Sequence, residues 1–270
     1  MNATIIDIVI LVVAGSIGGF VSGLLGVGGG VIFVPILDYF LIKNGVLTDD
    51  LVPYTLANSF LAALVSGVVG SLPAFRSKSI NISHLIFVGF SAILSVLVTS
   101  YFINLGKWYS PYIFKIVFSG LLLFTLIKTL LHIETVGSDE KMSIGLCSLV
   151  GVMSGIVSGI SGLGGGIVMI PMFTMFGNMP IKKAVVLSLA IIPLLAFPNV
   201  IYYSLIQPSQ SISGSTGHIV WPIIIPLIMG VLITVKIGVN AAQRMSAQTI
   251  KFIFATFIII TIIRLLTSLV

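Results

Sequence analysis

Along this chain apolar residues come in long runs and polar residues in short breaks. The runs cover residues 5–25, 31–42, 51–72, 84–104 and 110–131, then 142–161, 167–176, 181–206, 219–242 and 247–269. Most approach the ~20 residues that a membrane-spanning helix needs. The runs at 31–42 and 167–176 are short, and each follows a cluster of glycines, so they read as half-helices. The only hydrophilic connector of any size lies midway, around residues 134–141. This pattern predicts an all-α polytopic membrane protein of about eight to ten membrane helices.

The two halves echo each other. Residues 21–37 read VSGLLGVGGGVIFVPIL and residues 157–173 read VSGISGLGGGIVMIPMF. Val21, Ser22, Gly23, Gly26, Gly28, Gly29, Gly30 and Pro35 recur 136 positions later, and only Leu25 against Ser161 changes polarity. Weaker echoes follow in order: Ser59 with Ser188, His84 with His218, and Lys115 with Lys251. The chain therefore reads as two homologous repeats, residues 1–135 and 136–270, within one membrane domain.

Composition sharpens this. Hydrophobic residues make up 57% of the chain and charged residues 7%, against roughly 25% charged in a soluble domain. With a mean hydropathy of +1.23, the solvent for most of the surface must be lipid. The net charge of +6 comes from scattered lysines and arginines, with Lys182 and Lys183 the only basic pair, which argues against nucleic acid as a partner. Cys147 is the only cysteine, so neither an internal disulfide nor a cysteine-based metal motif is available; it reads as apolar filler. No Lys or Arg precedes Lys43, and a cleavable signal peptide needs a basic start, so residues 5–25 are expected to be a retained membrane element.

Loop charge speaks to how the repeats are oriented, because cytoplasmic loops collect Lys and Arg. Lys43, Asp49 and Asp50 follow the second run, where the other half has Lys182 and Lys183. Arg76 and Lys78 follow the third run, where the other half has the uncharged stretch 207–217. Lys107 and Arg244 follow the fourth. An inverted arrangement reconciles the opposite biases: Arg76, Lys78, Lys128, Lys141, Lys182, Lys183 and Arg244 inside, with Lys43, Lys107, residues 207–217 and both termini outside. Parallel repeats would put Arg76 and the uncharged 207–217 stretch on one side, so the charges favour inversion.

A continuous helix over residues 5–42 would be ~57 Å long, against a hydrocarbon core of ~30 Å. The glycines at 26 and 28–30 are the break, because glycine accepts positive φ. Backbone that leaves the helix at membrane depth must sit inside protein or line a wet cavity. Each repeat is thus expected to begin with a glycine-broken helical hairpin whose tip lies near the midplane. The helix that restarts there offers unpaired N–H groups and partial positive charge, a setting that favours anions. Two such tips facing each other would form one small anion site, with Ser22, Ser158 and Ser161 as hydroxyl donors. Small residues also serve close helix packing, but the recurrence at matched positions favours binding. A phosphate loop lacks its Lys-Ser/Thr here, and a dinucleotide fold lacks its strand.

The duplicated S-G-x-x-G-x-G-G-G-x-x-x-x-P signature resembles the TauE/SafE sulfite exporter family, and the likeness runs through essentially the whole chain. The resemblance implies a secondary transporter of small sulfur-containing anions, sulfite or an organosulfonate such as sulfoacetate, exported across the cell membrane with a coupling proton or cation. The two helix breaks supply the candidate binding set Ser22, Gly26, Gly28, Gly29, Gly30, Ser158, Ser161, Gly162, Gly164, Gly165 and Gly166, and the resemblance adds Asn58, Ser59 and Ser188 from the following helices as further candidates. Helix–helix hydrogen bonding is the alternative role for those last three.

Ionisable residues at membrane depth are functional suspects, and few are present. Lys115, Lys236 and Lys251 are placed to snorkel. Asp38 is expected near the outer end of its element. His84 and His218 start equivalent runs and either sit at the interface or handle protons. No carboxylate pair forms a proton relay, no catalytic constellation marks an enzyme, and no cofactor motif is present. An uncoupled anion channel using the same site stays open beside the transporter.

Overall fold

The computed structural model describes residues 5–46, 48–77, 80–105, 120, 123, 126–127, 142–209 and 211–267. Helices dominate them: α1 (Ile5–Leu25), α2 (Gly30–Lys43), α3 (Thr48–Arg76), α4 (Ile82–Leu105), α5 (Ile144–Ser161), α6 (Gly166–Met175), α7 (Ile181–Leu205), α8 (Trp221–Arg244) and α9 (Ala247–Thr267). Before α8 a two-residue antiparallel pairing, β1 (Ser215–Thr216) with β2 (Ile219–Val220), forms a small hairpin that the apolar pattern does not announce. The expected run at 110–131, the boundary at 135/136 and the cations Lys78, Lys107, Lys115, Lys128 and Lys141 lie outside the described residues.

α1, α3, α4, α5, α7 and α8 are long and apolar enough to cross a membrane. The helices after the glycines are short as expected: α2 has 14 residues and α6 has 10, about 21 Å and 15 Å of helix. The outer faces carry bare apolar side chains such as Ile17, Phe90, Leu94, Ile233 and Ile237, while Phe33, Phe60, Phe173, Tyr54 and Tyr203 fill the interior. A surface this apolar is a lipid-facing surface: the chain is an all-α polytopic membrane protein.

The repeats pack by exchange. α1 lies along α8, and its counterpart α5 lies along α4, the counterpart of α8. Both pairs rest on a glycine every fourth residue. A Cβ on Gly15 would stand 1.9 Å from the Leu227 carbonyl oxygen, on Gly19 2.7 Å from Val231 Cα, and on Gly23 2.1 Å from the Val235 oxygen. In the other pair a Cβ on Gly151, Gly155 and Gly159 would stand 2.4, 2.6 and 3.3 Å from the carbonyl oxygens of Val88, Ala92 and Val96. Partner numbers rise together, so each pair runs parallel, with backbones too close for any side chain between them. Such close approach substitutes for the hydrophobic drive that lipid does not supply.

α3 and α7 pack on each other, and here the numbers run oppositely. Phe60 stacks on Tyr203, Gly67 meets Pro193 and the Leu189 carbonyl, and Gly70 meets the Leu189 side chain. Equivalent helices of the two repeats are therefore antiparallel. The pseudo-two-fold axis lies across the helices, and the repeats are inverted.

Inversion sorts the charges. The antiparallel register brings Arg76, at the end of α3, to the level of Lys182 and Lys183, at the start of α7. Lys182 Nζ donates to the Gln243 carbonyl at 3.1 Å, which draws Arg244 to the same end. The opposite end holds the Asp7–Lys43 pair at 2.7 Å, Asp50, and residues 206–209 and 211–220. Lys236 is exposed on the outer face of α8, where its stem lies along lipid.

Candidate functional site

Both helix breaks are left-handed turns. Gly26, Gly28 and Gly29 have φ of 70°, 80° and 71°, and Gly162, Gly164 and Gly165 have 67°, 75° and 75°. A side chain in this region costs roughly 1–2 kcal/mol per residue. Gly29 and Gly165 are the N-caps of α2 and α6, with no side-chain cap. All residues of both turns are buried.

The turns meet. A Cβ on Gly30 would stand 2.6 Å from Leu163 Cα, and one on Gly166 2.1 Å from the Gly26 oxygen. Gly28 and Gly164 face each other across the axis, where a Cβ on either would stand 3.5 Å from the other's Cα, with Ile192 beside both. Sequence reasoning expected an anion between the tips; in this conformation backbone meets backbone there. Ile192 lies near the centre of α7, and Ser59 and Ser66 bracket the centre of α3, so the turns sit at mid-depth.

Hydroxyls hold them reciprocally. Ser59 Oγ donates to the Gly162 carbonyl at 2.7 Å, and Ser188 Oγ divides its one proton between the Gly26 carbonyl at 2.9 Å and the Val185 carbonyl of its own helix at 2.8 Å. These bonds are symmetry mates: each repeat's third helix ties down the other repeat's turn. In this conformation Ser59 and Ser188 bond to turn carbonyls of the opposite repeat, a contact distinct from the helix–helix bonding expected as their alternative role. Asn58 is committed elsewhere, its Nδ2 donating to the carbonyls of Tyr54 at 2.7 Å and His218 at 3.0 Å while its Oδ1 accepts from Val220 N at 3.0 Å. It pins the β1–β2 hairpin rather than the turns.

The remaining serines differ between repeats. Ser22 Oγ accepts from Ser66 Oγ at 2.5 Å. Ser161 Oγ donates to the Val157 carbonyl at 2.6 Å and accepts from Leu163 N at 3.3 Å. Ser158 Oγ, the counterpart of Ser22, is buried without a partner, and so is Ser154 Oγ one turn earlier. Ser154 stands outside the expected set; the sequence signal that marks it is its place opposite Gly18 in the repeat alignment.

In the helices that restart, Ile32 N and Phe33 N both donate to the Gly29 carbonyl, and Val168 N and Met169 N both to the Gly165 carbonyl. Among the described residues the N–H groups of Gly28–30 and Gly164–166 donate to no backbone carbonyl. Each turn therefore offers clustered amide donors at a helix N-terminus, a setting suited to an oxyanion. No group of three or more His, Cys, Asp or Glu able to hold a metal occurs among the described residues.

His84, near the start of α4, and His218 sit apart from the turns. His218 lies in the hairpin, its ring 5.0 Å from that of Tyr54 and 6.0 Å from that of Tyr203, with Nδ1 3.3 Å from the Tyr203 carbonyl. Burial pushes its pKa below the ordinary imidazole value. Asp38 accepts a hydrogen bond from the Thr55 hydroxyl, joining α2 to α3.

Inverted repeats, paired broken helices at mid-depth and a lipid-facing surface define a multi-pass membrane transporter fold. The Sulfite exporter TauE/SafE family model matches residues 11–265, and the chain belongs to that family. Among relatives, a protein of Methanocaldococcus jannaschii named a probable membrane transporter protein is 28% identical, covering 92% of this chain and 91% of the relative. One of Haemophilus influenzae with the same description is 26% identical over 96% and 97% of the two chains. A Bacillus subtilis protein, again named a probable membrane transporter, is 25% identical over 93% and 94%. No solved structure matches the chain.

Proposed function

We propose that this membrane transporter carries small sulfur-containing anions, sulfite or an organosulfonate such as sulfoacetate, out of the cell as a secondary transporter coupled to a proton or cation. The observation that carries this reading is the pair of buried glycine turns with clustered unbonded amides, tied to α3 and α7 at mid-depth. A compact oxyanion suits such donors because each amide directs a fixed dipole at it without bringing a buried cation. In this conformation the turns close on each other, so carriage requires them to part. The Ser59 and Ser188 bonds are the contacts that break or slide as they do.

Gly26, Gly28–30, Gly162, Gly164–166, Ser22, Ser158 and Ser161 form the proposed binding region, with Ser59 and Ser188 bonded to its turns and Asn58, beside Ser59 on α3, fixing the hairpin. The division at 135/136 into two repeats of one membrane domain belongs to the same reading. So does its sidedness: the end bearing Arg76, Lys182, Lys183 and Arg244 is the cytoplasmic one. Flux of sulfite and sulfoacetate into proteoliposomes, with and without an imposed proton gradient, tests the function. Movement that responds to the gradient supports coupled transport, movement indifferent to any imposed ion gradient identifies a channel, and no movement of either anion removes the substrate assignment.

A further inference from the structure

The two turns are related by symmetry but not furnished alike. In the first repeat the Phe33 ring fills the space before its turn: a Cβ on Gly18 would stand 2.1 Å from Phe33 Cε1, and one on Gly29 2.6 Å from the same ring. The nearby hydroxyls of Ser22 and Ser66 satisfy each other. The repeat offset places Ser154 where Gly18 stands, Ser158 for Ser22 and Met169 for Phe33. Leu195 replaces Ser66 in the register that pairs Ser59 with Ser188. A Cβ on Gly18 would point at the Phe33 ring of α2, so Ser154, its counterpart on α5, heads toward Met169 of α6, while Ser158 holds the place of Ser22, whose hydroxyl meets Ser66 of α3. The Ser154 carbonyl lies 3.0 Å from a Cβ built on Gly165, with Met169 Cε at 3.1 Å and Leu195 Cδ1 at 3.2 Å.

Ser154 and Ser158 are both fully buried, and neither hydroxyl has a partner. Among the described residues the other buried serines are bonded, including Ser59, Ser66, Ser100, Ser161 and Ser188. A buried hydroxyl without a partner costs free energy, and a membrane helix readily satisfies a serine through its own carbonyls, as Ser91 does through Phe87 at 2.8 Å. Two such hydroxyls one turn apart, on a helix packed against a helix start whose amides are also unbonded, supply the kind of donor set an oxyanion takes. Met169 is unbranched and can swing aside, whereas the Phe33 ring is wedged against two glycines.

We propose that the oxyanion site is asymmetric. The substrate binds at the second turn alone, held by the Ser154 and Ser158 hydroxyls together with the amides of Gly164, Gly165 and Gly166. This rests on the transporter reading above and narrows it to one half of the molecule. Ser154 becomes a binding residue, and the first turn becomes the packed partner against which the second moves.

The test measures binding of sodium sulfite, sulfoacetate, nitrate and phosphate to the detergent-purified full chain by titration calorimetry, together with thermal unfolding of the free protein. Ser154→Ala and Ser158→Ala each remove one unbonded hydroxyl. They should weaken sulfite about ten-fold, the loss of one hydrogen bond to a charged ligand, while the free protein's Tm stays level or rises. The double variant S154G/M169F copies the Gly18/Phe33 arrangement that packs in the first repeat, so it should fold and bind no sulfite. Sulfite binding unchanged in all three variants overturns the site and leaves the transporter reading standing. Binding of nitrate or phosphate alone, lost in the variants, keeps the site and removes the sulfur substrate. Failure of the wild type to bind any of the four overturns both.

Discussion

The first glycine turn and the second share backbone, φ angles and a serine latch from the opposite repeat, yet they are packed differently. Before the first turn stands an aromatic ring, and its hydroxyls are paired; before the second stand a thioether chain and two unpaired hydroxyls. Duplication supplies two equivalent helix starts, but a single small substrate needs only one set of donors. The difference shows how a symmetric scaffold can keep one turn as structure and leave the other polar.

The largest effects should come where the turns touch. Gly166→Ala puts a Cβ 2.1 Å from the Gly26 carbonyl, backbone against backbone, while Gly30→Ala meets Leu163 Cα at 2.6 Å. Both should abolish flux and lower stability by roughly 1–3 kcal/mol, the usual cost of overpacking, with Gly166→Ala the worse. Wild-type Tm and flux in Gly166→Ala would mean the turns do not pack as described.

Gly29 and Gly165 separate the two halves more finely. Valine at either position should stop transport while the protein still inserts, since a β-branched residue is a genuine outlier at positive φ. Alanine at either costs roughly 1–2 kcal/mol for its backbone conformation. Gly29→Ala also meets the Phe33 ring at 2.6 Å, whereas Gly165→Ala meets nothing closer than 3.0 Å. Thermal unfolding should rank Gly29→Ala as the more damaging, and the reverse order would contradict the proposed asymmetry.

Ser59→Ala and Ser188→Ala probe what the halves have in common. Each leaves a buried turn carbonyl without its hydroxyl, a loss of about 1 kcal/mol. Because Ser188 divides its proton with the Val185 carbonyl, chemical or thermal unfolding should show Ser188→Ala losing no more than Ser59→Ala. A clearly larger loss in Ser188→Ala would contradict this account of the latches.

The smallest expected effect lies outside the turns, at His218. Burial lowers its folded-state pKa below 6.5, while the Tyr203 carbonyl and Asp50 partly oppose the shift. A depressed imidazole pKa means the unfolded chain binds the proton more readily. Stability is then full above pH ~6.5 and falls as pH drops through that value toward the lower folded pKa. A Tm series from pH 8 to 5 should decline in the wild type and flatten in His218→Asn. Equal decline in both would assign the acid sensitivity to other groups.

Much of this was legible in the chain. The run at residues 5–25 coincides with α1, and the runs at 31–42 and 167–176 differ from α2 and α6 by a residue at either end, because glycine clusters set sharp boundaries. Inversion followed from where lysines and arginines fall, and the antiparallel packing of α3 on α7 agrees. The glycines at 15, 19 and 23, repeated at 151, 155 and 159, were visible too. Their use as contacts along α8 and α4 was not, since spacing alone does not name a partner helix. The hairpin at 215–220 escaped because its pairing is too short to leave an alternation.

The sequence by itself determined that this protein lives in a bilayer, is built twice over, and breaks its first helix at glycines in each copy. Those are local properties: hydropathy, repetition, and the φ that only glycine adopts readily. Tertiary structure decided that the tips touch rather than enclose a gap, that Ser59 and Ser188 latch the opposite turns, and that Ser154 and Ser158 are left without partners. Each of these depends on which residue of one repeat lies against which residue of the other, and the inverted packing of α3 on α7 sets that.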